Sequence, residues 1–269
     1  MDFGICLQSV IPVRMDATHR SEMVTQALFG DLYRILGNDD HWLRIQLAYD
    51  NYEGWIDEKQ HFPLEEDEFI RLNHADTPSS LDLVQLLYNE TRQSVTPVLL
   101  GSSLPGFSTQ KFTVAQEVFS FDGLVADPGA IEAANNPQDR QKAKQTLIDD
   151  ALLYINAPYL WGGRTPFGID CSGLTQMVYK LKKIKLHRDA AQQATQGEAV
   201  SFISESEPGD LAFFDNEEGN ITHVGLMMDS HHIIHASGKV RIDIIDHEGI
   251  FCEDDKKYTH KLRVIKRIL

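Results

Sequence analysis

Three side chains in this chain have the types and spacing for nucleophilic chemistry: Cys171, His223 and His235. Cys171 sits in Trp161-Gly162-Gly163 … Asp170-Cys171-Ser172-Gly173-Leu174, where a turn runs into a helix. Unpaired backbone N–H groups and the positive dipole end of a first helical turn favour thiolate, the form of cysteine that attacks carbonyls. His223 opens the run His223–Met228 and His235 closes the run His231–His235, with the turn signal Asp229-Ser230 between them. A hairpin with a three-residue loop centred on Asp229 sets 223 directly opposite 235, on one face, with the rings in reach of each other. One imidazole would then take the thiol proton while the other fixes its tautomer. Read singly, each residue has a plainer explanation: a buried cysteine acting as a small hydrophobe, and strand-end histidines in solvent, of which the chain has 11 in all. His231 and His232, beside the turn, are read in that plainer way. Zinc is the rival for these histidines, but it asks for three or four ligands at recognisable spacing. Neither HExxH nor CxxC occurs, so no metal and no cofactor is expected.

The elements that must position these groups emerge from the rest of the chain. Its 269 residues suit two or three small domains, and 42% hydrophobic content is enough to bury real cores. A net charge of −15 disfavours nucleic acid and anionic lipid and suits a small or cationic ligand. Cys6, Cys171 and Cys252, an odd and sparse set, argue against a disulfide scaffold and for a reducing compartment. Met1-Asp2-Phe3-Gly4-Ile5-Cys6 has no basic start and no sustained apolar run, and no apolar run reaches membrane-spanning length. The expectation is a cytoplasmic monomer without nucleic-acid or membrane partners.

Residues 1–60 read as short strands at Ile5–Pro12, Leu28–Leu36, Trp42–Leu47 and Gly54–Asp57, which suggests a small barrel. Residues 61–128 read as a second small β domain, with strands at Leu81–Leu87 (or a helix there), Val95–Leu100, Lys111–Val114 and Glu117–Phe121. Asp127-Pro128-Gly129 and Asn135-Asn136-Pro137 then punctuate the chain. A helix over Asp139–Tyr154 places Ala143, Leu147, Ala151 and Tyr154 on one face, and a second over Ser172–Leu181 buries Leu174, Val178 and Leu181. Strands at Asp210–Phe214, Ile221–Met228, His231–Ala236, Val240–Ile245 and Leu262–Ile268 complete an α+β layout for residues 129–269.

The series Pro158-Tyr159-Leu160-Trp161-Gly162-Gly163, Asp170-Cys171-Ser172-Gly173-Leu174, Pro208-Gly209-Asp210-Leu211-Ala212-Phe213-Phe214, His223-Val224-Gly225-Leu226 and His235-Ala236-Ser237 resembles the NlpC-type cysteine peptidases. Those are papain-like enzymes that cut peptidoglycan stem peptides. Ser21–Asp31 and Asp50-Asn51-Tyr52-Glu53-Gly54-Trp55-Ile56 are similar to the SH3-like barrels of one subgroup, the γ-D-glutamyl-L-diamino acid endopeptidases. The resemblance implies a free peptide, L-Ala-γ-D-Glu-diamino acid, cut after the γ-D-glutamyl residue. It assigns Cys171 as nucleophile, His223 as base, His235 as third member and Tyr159 as an oxyanion-hole hydroxyl beside the Cys171 N–H. It makes Trp161 a pocket aromatic, places Asp170, Tyr52 and Glu22 around the substrate ammonium, and has Ser172 hydrogen-bond the substrate. Carboxylates and a hydroxyl are what an ammonium needs, and a barrel over the site would admit only short free peptides. Plainer roles stand beside these: Tyr52 as a barrel aromatic, Glu22 as a solvated charge, Asp170 as a helix N-cap. In Arg188-Asp189-Ala190, Arg188 and Asp189 match a substrate-binding segment, while Ala190 replaces a serine often used to hold the α-carboxylate. Two other readings of the chain are a catalytically dead binder of wall fragments and a related thiol amidase or acyltransferase.

Overall fold

The computed structural model describes residues 2–126 and 137–269, so the breaks at Asp127-Pro128-Gly129 and Asn135-Asn136 fall outside the described residues. Contacts divide the chain into two units, Met1–Asp127 and Pro128–Leu269.

The first unit begins with β1 (Asp2–Ile5), β2 (Val10–Arg14), β3 (Met23–Leu28), β4 (Leu32–Asp39), β5 (Trp42–Leu47), β6 (Glu53–Asp57) and β7 (Phe62–Leu64). They form one sheet in the order β3-β2-β6-β5-β4-β1-β7. The expected strand Ile5–Pro12 is two strands, because the chain leaves β1 at Ile5 and re-enters the sheet only at Val10. Leu28–Leu36 is likewise split by a turn. Gly30 takes φ +80, a conformation that favours glycine, and the Asp31 carboxylate accepts from the Leu28 N–H at 3.0 Å. Cys6, Ile11, Val13, Ala27, Tyr33, Ile45, Leu47 and Ile56 fill this sheet's own core.

A helix, α1 (Glu66–His74), follows where no element is expected. Its apolar stripe is only Phe69 and Leu72, too short to stand out as a period, while Glu66, Asp67 and Glu68 complement the dipole at its start. The strands β8 (Val84–Asn89), β9 (Ser94–Leu99), β10 (Lys111–Val114) and β11 (Glu117–Ser120) make a second sheet, so Leu81–Leu87 resolves as strand, not helix. Phe3, Ile5, Phe29, Leu64, Phe69 and Leu72 share one core with Leu87, Val98, Leu104, Phe112, Val114, Phe119 and Phe121. The two sheets of this unit are therefore packed around common apolar surface.

The second unit opens with α2 (Pro137–Leu152), which starts on the proline, a residue preorganised for a first helical position. Ala143, Leu147, Ala151 and Tyr154 are buried as the periodicity requires. A two-stranded pair, β12 (Arg164–Thr165) and β13 (Gly168–Ile169), leads into α3 (Cys171–Leu181) and then the single-turn α4 (Ala190–Gln193). Every residue of α3 is buried, not only the expected stripe Leu174, Val178 and Leu181, so this helix lies inside the unit. The sheet comprises β14 (Glu198–Val200), β15 (Leu211–Asp215), β16 (Ile221–Met227), β17 (His232–Ser237), β18 (Lys239–Ile245), β19 (Gly249–Cys252) and β20 (Lys257–Arg267). All its pairings are antiparallel, in the order β14-β20-β15-β16-β17-β18-β19. The long β20 also pairs with β19, which closes the strands from β15 to β20 into a barrel. Ala212, Phe214, Met227, Ile233, Ile245, Ile250 and Ile265 fill its inside, and α3 packs on β16 and β17 from the other face.

Candidate active site

Cys171 is the first residue of α3 and Asp170 is its N-cap. Asp170 is extended (φ −94, ψ 176), and its Oδ1 accepts from the Gly173 N–H at 2.6 Å. The same carboxylate accepts from the Gly162 N–H at 2.8 Å and from Arg188 through NH1 at 3.0 Å and NH2 at 2.6 Å. Ser172 Oγ adds a donor at 3.3 Å and itself accepts from Arg188 NH1 at 3.0 Å. Asp170, Ser172 and Arg188 are therefore one buried network that ties the Gly162 turn, the helix start and the segment before α4 together. A carboxylate offers roughly four lone-pair positions, and five donors meet this one. Its first role is the cap and the ion pair; the helix-cap reading of Asp170 is the one its contacts express. Arg188 is held inside this network as a positioning group. Asp189 is the N-cap of α4, its N–H donating to Gln192 Oε1 at 3.3 Å, and Ala190 is buried.

The glycines allow this close packing. A Cβ on Gly173 would stand 2.3 Å from the Gly163 carbonyl oxygen, so helix and loop backbones touch here only without side chains.

His223 and His235 meet, but not by the expected register. The loop runs from Met228 to His231, and His235 pairs with Gly225, with Ile234 opposite Leu226 and Ile233 opposite Met227. The hairpin is shifted by two residues from a loop centred on Asp229. A shift of two preserves the face, so His223 becomes the diagonal neighbour of His235, still within reach. Gly225 makes room: a Cβ there would lie 2.9 Å from His235 Cβ and 2.6 Å from Ile233. The rings stand edge to face with His223 Nε2 2.8 Å from His235 Nδ1.

The chain of contacts continues into β18. His235 Nε2 lies 2.9 Å from Asp243 Oδ2, and Arg241 NH2 donates to Asp243 Oδ1 at 2.7 Å. A carboxylate only accepts, so His235 carries its proton on Nε2 and presents a lone pair at Nδ1. His223 must then donate from Nε2, which leaves His223 Nδ1 as a free base. On β20, His260 stacks on His223 with ring centroids 4.1 Å apart. Asp243 and His260 are not picked out by motif or spacing. The available signal was polar residues on the inward positions of strands.

Burial sets the electrostatics. It pushes the Cys171 thiol up to about 12, and the negative Asp170 adds to the shift. Hydrogen bonds from the Val224 and Ser172 backbone oppose this but do not overcome it. The expectation that the helix start favours thiolate and lowers the thiol pKa is thus corrected: desolvation outweighs it. Burial also holds His223 well below its usual value, with His235 and His260 beside it. The resting pair is neutral thiol and neutral imidazole. Asp243 stays below the ordinary carboxylate range: burial works against its charge, but its bonds to His235 and Arg241 prevail. Tyr159 is raised to about 12, first by burial and then by Cys171 and Asp170, so its hydroxyl stays a donor at neutral pH and lies in electrostatic reach of both. Trp161 projects to solvent at 59% exposure. Glu22 and Tyr52 lie in the first unit: Glu22 is exposed at the foot of β3, and Tyr52 packs against that unit's barrel core between β5 and β6.

A model of the NlpC/P60 family matches residues 156–260, and one of the bacterial dipeptidyl-peptidase SH3 domain matches residues 13–60. A gamma-D-glutamyl-L-lysine dipeptidyl-peptidase of Bacillus subtilis (strain 168) is 26% identical over 243 residues, 87% of this chain and 74% of that one. Dipeptidyl-peptidase 6 of Lysinibacillus sphaericus is 26% identical over 264 residues, 89% and 90% of the two chains. The crystal structure of an NlpC/P60 family protein from Bacillus cereus ATCC 10987 superposes with a TM-score of 0.78 over 99% of each chain at 20% identity, a likeness of fold. With a cysteine at a helix start and a buried His–His–Asp relay in the matched segment, the chain carries an NlpC/P60 domain over residues 156–260, preceded in sequence by a bacterial dipeptidyl-peptidase SH3 domain over residues 13–60, and is a hydrolase of the cysteine-peptidase kind.

Proposed function

We propose that this protein hydrolyses the bond after γ-D-glutamate in short free peptides of the form L-Ala-γ-D-Glu-diamino acid. The observation that carries the chemistry is the relay from Asp243 through His235 to His223, which leaves one free imidazole nitrogen on the strand against which the Cys171 helix packs. The specificity rests on the relatives, two of which are named as gamma-D-glutamyl-L-lysine dipeptidyl-peptidases and cover most of this chain.

In this reading Cys171 Sγ attacks the γ-carbonyl as its proton passes to His223 Nδ1. Because thiol and imidazole rest neutral, proton transfer accompanies attack and does not precede it. The Cys171 N–H and the Tyr159 hydroxyl are the donors for the oxyanion. The imidazolium returns its proton to the leaving diamino-acid nitrogen, the C–N bond breaks, and a thioester remains. Water, deprotonated by His223, cleaves the thioester and frees the γ-carboxyl of L-Ala-γ-D-Glu and the Cys171 thiol. Ser172 and Trp161 are the proposed substrate contacts of this unit. Asp170 and Arg188 hold the nucleophile's helix and orient it, with the substrate ammonium as Asp170's proposed further partner. The resemblance of the first unit supports Glu22 and Tyr52 as ammonium partners. Use of free peptides would place the enzyme in the recycling of wall peptides in the cytoplasm.

The test is incubation of L-Ala-γ-D-Glu-L-Lys and its meso-diaminopimelate counterpart with wild type and Cys171→Ala. Release of L-Ala-γ-D-Glu by wild type alone is expected, and N-acetylation of the alanine should abolish it. Equal cleavage of the blocked peptide would remove the ammonium from the account.

A further inference from the structure

Three imidazoles meet on three strands of the closed sheet: His223 on β16, His235 on β17 and His260 on β20, each with a ring nitrogen within 4.8 Å of one on each of the others. We propose that they form a binding site for a divalent transition-metal ion, zinc in the first place, and that the bound ion switches the peptidase off.

Each supporting group has the form that imidazole–metal sites use, in which the remote ring nitrogen donates to an oxygen acceptor. His235 Nε2 is directed to Asp243, which Arg241 holds in turn. His260 Nδ1 lies 2.9 Å from the Thr259 hydroxyl, and that hydroxyl donates to the Ile250 carbonyl at 3.3 Å. Thr259 therefore receives the His260 Nδ1 proton, and Nε2 keeps its lone pair. Three neutral imidazoles with a carboxylate behind one of them suit zinc, which accepts three protein nitrogens and a water.

The adjustment that binding requires is small. Zn–N bonds of about 2.0–2.1 Å in a tetrahedron separate neighbouring nitrogens by about 3.3 Å. His223 Nε2 and His235 Nδ1 are 2.8 Å apart, so that pair must open by about half an ångström. His260 stacks on His223 at 26° between ring planes, and it must turn about its side-chain bonds to aim a lone pair at the same ion. It is the partly exposed member of the three.

Inhibition follows from tautomers. An ion on His223 Nε2 displaces the proton from that nitrogen, and the neutral ring then carries it on Nδ1. Nδ1 is the atom that must be free to take the thiol proton, so the metal-bound ring is no longer a base. This half of the proposal rests on His223 as the peptidase base; the binding half does not.

Calorimetric titration of zinc into Cys171→Ala at pH 7.5 tests the site without the thiol, the obvious competing ligand. One tight site is expected, weakened at least tenfold by a further His260→Phe change, which keeps the stacked ring and removes the nitrogen. Cobalt(II) should give visible absorption bands in Cys171→Ala that the double variant lacks. If His260→Phe misfolds by circular dichroism, His260→Gln takes its place. In wild type, stoichiometric zinc should stop peptide hydrolysis and a chelator restore it. Absence of binding by Cys171→Ala, or equal affinity without His260, overturns the site; tight binding with full activity overturns the switch. Zinc binding without any peptidase activity would refute the proposed function and leave the site standing.

Discussion

Asp243→Asn is the sharpest test of the relay, because it changes a charge and two hydrogen-bond polarities without changing shape. In the native arrangement Asp243 Oδ2 meets His235 Nε2 at 2.9 Å and Arg241 Nε at 2.7 Å, while Oδ1 takes Arg241 NH2 at 2.7 Å. Asparagine offers one oxygen. If it faces His235, the new amide NH2 meets the Arg241 NH2 group, donor against donor. If it faces Arg241, the amide donates to His235 Nε2, moves the His235 proton to Nδ1, and obliges His223 to hold its own on the nitrogen meant for the thiol. Either placement loses a charge-assisted hydrogen bond worth about 2–3 kcal/mol. Carried into the transition state, that is a fall of about 30- to 150-fold in kcat/KM. The assay is hydrolysis of L-Ala-γ-D-Glu-L-Lys at pH 7.5, with circular dichroism to confirm folding. A folded variant within about threefold of wild type would refute the relay, since such a loss is far below one charge-assisted bond.

The remaining predictions follow from the same geometry. Alkylation of Cys171 by iodoacetamide should rise steadily with pH through 9, because burial keeps the thiol protonated to about 12; a rate flat between pH 5 and 8 would mean a resting ion pair instead. Arg188→Met should lower stability by about 3–5 kcal/mol in chemical denaturation, since it strands the buried Asp170 carboxylate; adding Asp170→Asn should recover part of that loss, and purely additive losses would contradict the pairing. Gly225→Val should lower both stability and kcat/KM, because its first carbon would already stand 2.6–2.9 Å from Ile233 and His235; an active, equally stable variant would mean the hairpin register is different.

What could be read in the sequence was whatever depends on local order. Gly-rich and Asp-capped segments around Cys171, and alternation on β15 to β18, led to the helix, the sheet and the nucleophile. The face shared by His223 and His235 was legible because side-chain direction has period two, and a register error of two leaves it intact. The loop length was not legible: Asp229 Oδ1 accepts from both the His231 and His232 N–H groups at 2.7 and 2.8 Å, which builds a longer turn than an Asp-centred one. His260 was hidden because only long-range pairing of β20 brings its strand to the histidine pair, whereas Asp243 lies on β18, the direct antiparallel neighbour of β17, diagonal to His235 and marked by no motif. The helix start that favours a Cys171 thiolate is a local feature, while the burial that outweighs it comes from the whole unit. The shared core of the two sheets in the first unit is equally non-local, joining Phe3 and Phe29 to Phe112 and Phe119.

The central claim is that Cys171, with His223 as its base, opens the γ-D-glutamyl bond. Mass spectrometry of the wild-type enzyme quenched in acid during turnover of L-Ala-γ-D-Glu-L-Lys tests it directly. A species heavier by one L-Ala-γ-D-Glu acyl group, mapped to the Cys171 peptide and absent from Cys171→Ala, is expected, with free lysine in the supernatant. Free lysine released equally by Cys171→Ala, or an acyl group on another residue, would contradict it.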